Sequence, residues 1–563
     1  MVAGSSRTDP VRVLALGGLG EIGLNLTVVE YGGSAILIDA GVMFPPRPAF
    51  GAGLIVPDLG YLEQRRLKLL GLILTHAHED HVGALPQILD RFALPVYGTR
   101  LTLAFARRRL RAQQLADGAA LHTIAPGDRI ELGPFRVEPV RVTHSTPDSI
   151  ALAIETPAGI IVHSGDFKID QTPIDGQRFD TRRFAELGHQ GVELLLSDST
   201  NVERPGRSGS ESAVRSPLAA QLARCRGKFF LSAFSSHLHR IRQVVELSRE
   251  AGRMVVPIGR RMIESVRLGC ELGELNFPSG TFIDPAEAEF LAPRHLTFIA
   301  GGSQAEPMSA LTRLAADSFP RVRIDPGDSV VLSSRFIPGN ERPIITLIND
   351  LYKLGAEVVY ETVAPVHVSG HASREELADM IGLVKPRHFV PIHGEYRHLK
   401  RHLELAIEAG VPAGNCYLLE NGDSLILEPG RARRGARVHA GRVVIEGEGP
   451  ADAALVEERR LLSRGGTVIA VVAISAASGE LIAGPELISR GFITGDGSSP
   501  QLRAAQAELA ARLRAIGPAL SAVDQALRNE IVRTLESSLQ AATGRRPLVV
   551  PHVMEVAAPS RAK

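Results

Sequence analysis

The chain has 563 residues, enough for three or four domains. Hydrophobic residues make up 44% and charged residues 22%, an ordinary globular balance that excludes a disordered or fibrous chain. A formal net charge of +1 excludes a global attraction to nucleic acid, so any such site must be a local groove. The three cysteines, Cys225, Cys270 and Cys416, are widely spaced. They exclude a disulfide scaffold and a thiolate zinc site, and fit a reducing compartment. Residues 1–10 carry no signal-peptide pattern and no apolar run reaches the length of a membrane span, so a cytoplasmic protein with no membrane partner is expected.

In chain order, the first feature is "VRVLALGGLGEIGLN" over residues 11–25, where Gly18, Gly20 and Gly23 spell G-x-G-x-x-G after an apolar run. Asp39 ends the next apolar run, as the ribose-binding acid of a dinucleotide site would. That site needs a crossover helix between glycines and acid. Residues 24–38, "LNLTVVEYGGSAILI", instead read as two β-branched strands about a turn, so no dinucleotide site is expected.

Up to residue 205 the chain alternates short apolar strands ending in Gly, Asp or His with helical patterns, a layered α/β or αββα texture. From about 206 to 356 the strands "KFFLSAF", "RMVVPIG", "LTFIAGG" and "SVVLSS" alternate with helices near 237–251, 261–271 and 307–316, which predicts βαβ units and a parallel sheet. Residues 357–428 return to the first texture. A link rich in Arg and Gly covers roughly 430–464, and the last segment reads strand, two helices over roughly 500–541, and strand. Its strands "TVIAVVAI" and "PLVVPHVMEV" are strongly apolar. A sheet this small needs cover, so the segment is expected to pair copies of the chain, giving a homodimer or homotetramer.

The stretch with most chemistry is "LGLILTHAHEDHVGALPQIL". It places His76, His78, Asp80 and His81 on a predicted strand-to-helix turn. One such turn can feed two metal ions a few ångströms apart. His144, Asp166 and His393 each follow an apolar strand elsewhere in the chain. Imidazole and carboxylate without thiolate suit Zn²⁺ or Mn²⁺, and two such ions together favour hydrolysis, often of phosphodiesters.

Asp39, the His76/His78/Asp80/His81 cluster, His144 and Asp166 resemble the successive motifs of the metallo-β-lactamase superfamily. "LLLSDSTN" with Asp198, "VHVSGHAS" with His371 and "VPIHGE" with His393 resemble the three motifs of its β-CASP branch. "GGLGEIGLN", "SDSTNVERPG", "GGSQAEPMSAL", "SGHASREEL" and "RRPLVVPHVMEV" are similar to phrases of the ribonuclease J family. The resemblance implies an αββα metallo-β-lactamase sandwich over 1–205 and 357–429, an inserted β-CASP α/β domain over 206–356, a linker over 430–464 and a small C-terminal α/β domain over 465–556.

It also implies two divalent metal ions per chain, zinc before manganese. His76, His78 and His144 would hold one, Asp80, His81 and His393 the other, and Asp166 would bridge. Asp39 would order the ligand loops. Asp198 would orient the site and His371 would touch the scissile phosphate and protonate the leaving oxygen. Ser236, His239, His367, Ser369, Gly370 and His371 would bind RNA phosphates. The implied activity is 5′-to-3′ exonuclease action on 5′-monophosphate RNA together with internal cleavage, in rRNA processing and mRNA decay. Single-stranded RNA and other RNA-decay proteins are the expected partners.

Three departures stand out: His237 where the family usually has Asn, Arg261 in "GRRM" where it has Ser, and "ITG" after "SRGF" where it has "VYV". The rival readings are a small-molecule hydrolase of the same superfamily, a DNA-preferring β-CASP nuclease and an inactive RNA-binding subunit. The full set of ligand positions argues against the last.

Overall fold

The computed structural model describes residues 9–44, 53–337, 340–446, 449–450, 458–459, 461–463, 465–493, 499–517 and 525–556. Two compact units divide the chain, one of residues 1–46 and 54–448, the other of 47–53 and 449–563.

The first unit holds two large sheets. The eight-stranded sheet runs in the order Arg431–Arg434, Ser424–Glu428, Val11–Gly17, Leu26–Tyr31, Ser34–Ile38, Lys68–Ile73, Val96–Gly98, Leu121–Thr123. The six-stranded sheet runs His388–Ile392, Val192–Asp198, Gly159–His163, Ile150–Thr156, Phe135–Arg141, Ile130–Leu132. Val13, Val29, Ile36 and Ile73 of the first meet Leu152, Ile154, Leu194 and Val390 of the second in one core. Helices cover the outer faces: Leu85, Ile88 and Leu103 pack on Leu72 and Val96, while Phe184, Leu377 and Ile381 pack on Val162 and Leu195. Sheets buried on both faces need near-continuous apolar strands, and "VELLLSD" over Val192–Asp198 is buried at every position. This is the αββα sandwich. The glycine-rich opening enters it as strand and loop, and residues 26–31 and 34–38 pair as an antiparallel hairpin.

A third sheet of the same unit is wholly parallel: Met254–Ile258, Leu296–Ala300, Phe229–Ser232, Ser329–Leu332, Glu357–Val359. Helices Leu238–Glu250, Arg260–Glu271 and Glu341–Lys353 connect its strands, as the βαβ texture predicts. Strand Glu357–Val359 closes this sheet by pairing with Ser329–Leu332, so the inserted sheet extends past residue 356. Three residues carry too little pattern to reveal that. The expected link also has structure of its own. Arg431–Arg434 turns back along Ser424–Glu428, and Arg442–Glu446 pairs with Leu54–Pro57. Residues 447–448, 451–457, 460 and 464 of the link, and residues 494–495 of the "ITG" departure, lie outside the described residues.

In the second unit, Thr467–Ser475 is the centre strand between Leu481–Arg490 and Leu548–Val556. Its burial alternates strictly, with Val468, Ala470, Val472 and Ile474 turned to helices Pro500–Ile516 and Gln525–Thr543 through Leu509, Leu513, Ile531 and Leu535. Among the described residues, no helix is long and apolar enough to cross a membrane.

Candidate metal centre

The site gathers where strands of the sandwich end. Asp39 follows Ser34–Ile38, the His76 turn follows Lys68–Ile73, Asp166 follows Gly159–His163, Asp198 ends Val192–Asp198 and His393 follows His388–Ile392. Strand ends of both sheets thus deliver side chains to one place.

Three candidate ligand groups form among the described residues. His76, His78, His144 and Asp166 offer one, Asp80, His81, Asp166 and His393 a second, and Asp166, Asp198 and His371 a third at the exposed edge, each with its ligand atoms within 4.8 Å of one another. Asp166 Oδ2 stands between the first two, 3.2 Å from His81 Nε2, 3.3 Å from His393 Nε2, 3.5 Å from His76 Nε2 and 3.9 Å from His144 Nε2. Asp80 Oδ2 is 3.3 Å from His393 Nε2.

Each imidazole presents one nitrogen to the cluster and has the other anchored. Thr75 Oγ1 donates to Asp39 Oδ2 at 2.9 Å and so accepts from His76 Nδ1 at 3.0 Å. His81 Nδ1 donates to Asp39 Oδ2 at 2.7 Å, and His144 Nδ1 to the Gly370 carbonyl at 2.8 Å. Thr200 Oγ1 donates to Asp198 Oδ1 at 2.8 Å and accepts from His393 Nδ1 at 2.9 Å. His78 is reversed: its Nε2 meets Ser145 Oγ at 3.1 Å and its Nδ1 faces His76 and His144. Anchoring the far nitrogen fixes tautomer and ring orientation, as metal-binding histidines require. His393 Nε2 is buried with no hydrogen-bond partner although it lies between two carboxylates. That orphaned nitrogen and the all-imidazole-and-carboxylate donor set fit divalent metal ions.

Close backbone approach makes the geometry possible. A Cβ on Gly41 would stand 1.7 Å from the Asp80 carbonyl oxygen, and one on Gly370 would stand 2.8 Å from the His144 ring. Neither position admits a side chain without moving a loop that carries ligands.

The electrostatics split the histidines. Burial pushes His78 down to about 4 and takes His76 and His144 well below the ordinary imidazole value, so all three are neutral at pH 7. Burial opposes charge on His393 too, but the Asp166 and Asp80 carboxylates lift it to about 9. His81 is lifted likewise, against its burial, by Asp166, Asp39 and Asp80. Burial would raise Asp166, yet His393, His81 and His371 hold its carboxyl well below the usual range. The side chains of Asp80 and His371 are 29% and 20% exposed and His78 is half-buried, while His76, His81, His144, Asp166 and His393 are buried, so the cluster opens on that side.

His371 completes the opening. Its Nδ1 is 2.8 Å from Asp198 Oδ2 and 3.9 Å from Asp166 Oδ2. Burial alone would lower its affinity for a proton, but Asp198 and Asp166 raise it. The loop before it is held at several points. Val366 O accepts from Arg240 Nη1 at 3.0 Å and Ser333 Oγ at 2.6 Å, while Asn201 Nδ2 donates to Ser369 Oγ at 2.7 Å and His371 O at 3.1 Å. Arg240 is fully buried and forked onto Glu211 at 2.7 and 2.9 Å. Removing one partner of such a pair costs about 3–5 kcal/mol.

Among the expected phosphate-binding residues, His367, Ser369, Gly370 and His371 share this loop. Ser236 is half-buried in the turn before helix Leu238–Glu250. His239 points elsewhere, its Nε2 3.2 Å from Asp175 Oδ2. His237, the departure from the family's Asn, is buried with Nε2 3.5 Å from Glu211. Thr75, Thr200, Asn201 and Arg240 carry no mark of their own in the sequence. For Thr200 and Asn201 the signal was their place in "SDSTN" beside Asp198.

Four family models match. They are described as metallo-beta-lactamase superfamily (residues 19–201), ribonuclease J beta-CASP domain (226–351), Zn-dependent metallo-hydrolase RNA specificity domain (355–417) and ribonuclease J C-terminal domain (454–556). The chain is similar to "Ribonuclease J 1" of Streptococcus pyogenes serotype M3, 36% identical over 98% of both chains. It is 38% identical to "Ribonuclease J" of Mycobacterium tuberculosis over 97% of both, and 35% identical to "Ribonuclease J2" of Bacillus subtilis over 98% of this chain and 99% of that one. A solved structure of a protein of unknown function from Enterococcus faecalis shares the fold, with a TM-score of 0.51 at 20% identity over 74% of this chain and all of that one. With its motifs, its sandwich and inserted parallel sheet, and full-length relatives at this level of identity, the chain belongs to the ribonuclease J family of the metallo-β-lactamase superfamily.

Proposed function

We propose that this chain, a metal-dependent ribonuclease by its family, degrades RNA from a 5′-monophosphate end in the 5′-to-3′ direction and also cuts internally, acting in RNA processing and decay. The observation that carries the reading is the meeting of two anchored ligand groups at Asp166. His76, His78 and His144 would hold one divalent ion, Asp80, His81 and His393 a second, with Asp166 shared and zinc or manganese as the metal. Two such ions, when bound, activate water and clamp the attacking and leaving oxygens of a phosphodiester.

The chain's own groups do the rest. Asp39 keeps His81 oriented and, through Thr75, His76. Thr200 does the same for His393 and ties it to Asp198. His371, whose hold on a proton Asp198 strengthens, stands at the exposed side where a phosphate can reach it and where its proton can pass to the leaving oxygen. Ser236 and the His367–His371 loop supply hydroxyl and backbone N–H donors for a terminal phosphate. His239 remains with Asp175. A monophosphate fits a pocket of neutral donors, while a triphosphate adds charge that such a pocket does not solvate. The C-terminal segment is proposed as the contact between copies in a homodimer or homotetramer.

The test is cleavage of a 5′-labelled monophosphorylated RNA, with matched DNA as control, before and after chelation and after return of Zn²⁺ or Mn²⁺. The reading expects RNA cleavage that chelation abolishes and metal restores. Cleavage that survives exhaustive chelation, or that favours the DNA, contradicts it.

A further inference from the structure

Beside the His371 loop, two guanidinium groups from distant parts of the chain face one carboxylate. Arg335 follows the strand Ser329–Leu332 of the parallel sheet, and Arg204 follows the "SDSTN" segment of the sandwich. Arg335 forks onto Glu361, with Nη2 2.7 Å from Oε1 and Nε 3.2 Å from Oε2. Arg204 Nη1 reaches the same Oε1 at 3.9 Å. Among the described residues neither arginine has another carboxylate within 4.0 Å, so the group keeps a net positive charge. Burial and the charge of Arg335 hold Arg204 below the usual guanidinium value. Two like charges kept together on one shared carboxylate are an arrangement that an added anion relieves.

The pair is connected to the catalytic loop. Arg335 Nη1 donates to Asn201 Oδ1 at 3.4 Å, and the amide nitrogen of the same Asn201 donates to Ser369 Oγ and to the His371 carbonyl. Arg335 is therefore two hydrogen bonds away from His371. Its backbone is pinned as well, since Gln304 Nε2 donates to the Arg335 carbonyl at 2.7 Å. Nearby, Nδ1 of His367 is buried with no partner. The side chains of Arg335, Glu361 and Arg204 are 24%, 33% and 47% exposed, so solvent and ligand reach them from the open side. An ion pair this exposed contributes little stability, and an incoming anion can displace its carboxylate at low cost. Guanidinium forks match the planar oxygens of phosphate as well as those of carboxylate.

We propose that Arg335 and Arg204 form a binding site for a backbone phosphate of the substrate strand, next to the phosphate that meets His371, and that Glu361 occupies this site in the free protein. The proposal rests on the ribonuclease reading above and adds to it a contact that is independent of the chemistry of the 5′ end. On binding, the strand replaces Glu361 on Arg335, and the Arg335–Asn201 bond passes the contact to the loop carrying His371.

The experiment measures binding of a cleavage-resistant phosphorothioate oligoribonucleotide with a 5′-hydroxyl end to the metal-loaded full chain, as a function of salt. The 5′-hydroxyl removes any terminal-phosphate pocket from the measurement. In Arg335→Gln the slope of log affinity against log salt becomes shallower by about 0.7, the value for one lost phosphate contact on a single strand. Arg335→Lys keeps the charge and restores most of the slope. Glu361→Gln binds several-fold tighter than the parent at low salt, while Glu186→Gln, whose carboxylate pairs with Arg182 and Arg183 on helix Thr181–Gln190, does not. The more exposed Arg204→Gln shows a smaller flattening and serves if Arg335→Gln fails to fold. A parental slope in folded Arg335→Gln, or in Arg204→Gln where that substitutes for it, overturns the site. Parental affinity in Glu361→Gln overturns the role of Glu361. A parent chain that binds no single-stranded RNA overturns the ribonuclease reading and this site with it.

Discussion

The carbonyl of Gly370 accepts a hydrogen bond from His144 Nδ1 at 2.8 Å, across 226 positions of sequence. It joins the loop that carries His371 to an imidazole of the His76/His78/His144 group. One bond thereby sets the ring angle of a proposed ligand and the position of the loop proposed to meet phosphate together.

Gly370→Ala tests that coupling. The added Cβ would stand 2.8 Å from the His144 ring and 2.9 Å from the Ser145 amide nitrogen, so the loop must shift. We expect about a 100-fold loss in kcat, the scale for a misplacement near 1 Å, with the fold retained. Steady-state kinetics with a thermal melt checks it. A variant with parental kcat would show that the loop position is not critical.

Asp80→Ala removes the one ligand carboxylate that is partly exposed, so the fold should survive. Metal analysis should show one ion per chain in place of two, and RNA cleavage should be abolished. Two ions per chain with intact cleavage would contradict the assignment of Asp80 to the second ion.

His402 gives a pH prediction away from the ligands. It is fully buried on helix Tyr396–Glu408, with Nδ1 3.0 Å from Ser199 Oγ, and burial pushes it down to about 3. The unfolded chain takes up that proton near pH 6.5 and the folded chain does not. Its contribution to stability is therefore complete above about pH 6.5 and is lost as pH falls toward 3. The slope is of the order of 1 kcal/mol per pH unit. Denaturant titrations between pH 7 and pH 5 should show His402→Gln less stable at pH 7 but with a flatter pH dependence. An equal slope in both proteins would contradict the neutral buried imidazole.

Much of the site was legible because ligand types cluster where apolar strands stop. The "HAHEDH" turn needs no long-range information, and strand ends also marked His144, Asp166 and His393. The partners that anchor those ligands were not legible. Thr200 serves His393 across 193 positions and Asn201 serves Ser369 across 168, and no local spacing records which loops meet. The same limit hid Arg335, an ordinary arginine until Asn201 and Glu361 are seen around it. Residues 357–359 read from sequence as part of the returning segment because three residues show no period. Motif spacing groups His239 with the phosphate-binding loop, whereas in the structure its imidazole meets Asp175.

The C-terminal unit leaves one sheet face outward. Val550 and Met554 are 42% and 40% exposed there, and Ile469 and Val471 of the centre strand point to the face away from the helices. Truncation after about residue 460 should lower the oligomeric state measured by light scattering, the mass divided by that of the shortened chain, and weaken cleavage of long RNA. An unchanged oligomeric state would contradict the proposal that this unit pairs the copies.

The central claim is a nuclease whose paired ligand groups act on a strand registered by its 5′ phosphate. The most direct measurement compares initial rates of 5′-to-3′ degradation on one RNA bearing a 5′-monophosphate, 5′-triphosphate or 5′-hydroxyl, with the full chain and added Zn²⁺ or Mn²⁺. The account predicts fast release of nucleotides from the monophosphate alone, with internal cuts similar on all three. Equal 5′-to-3′ degradation of the monophosphate and triphosphate forms would contradict it.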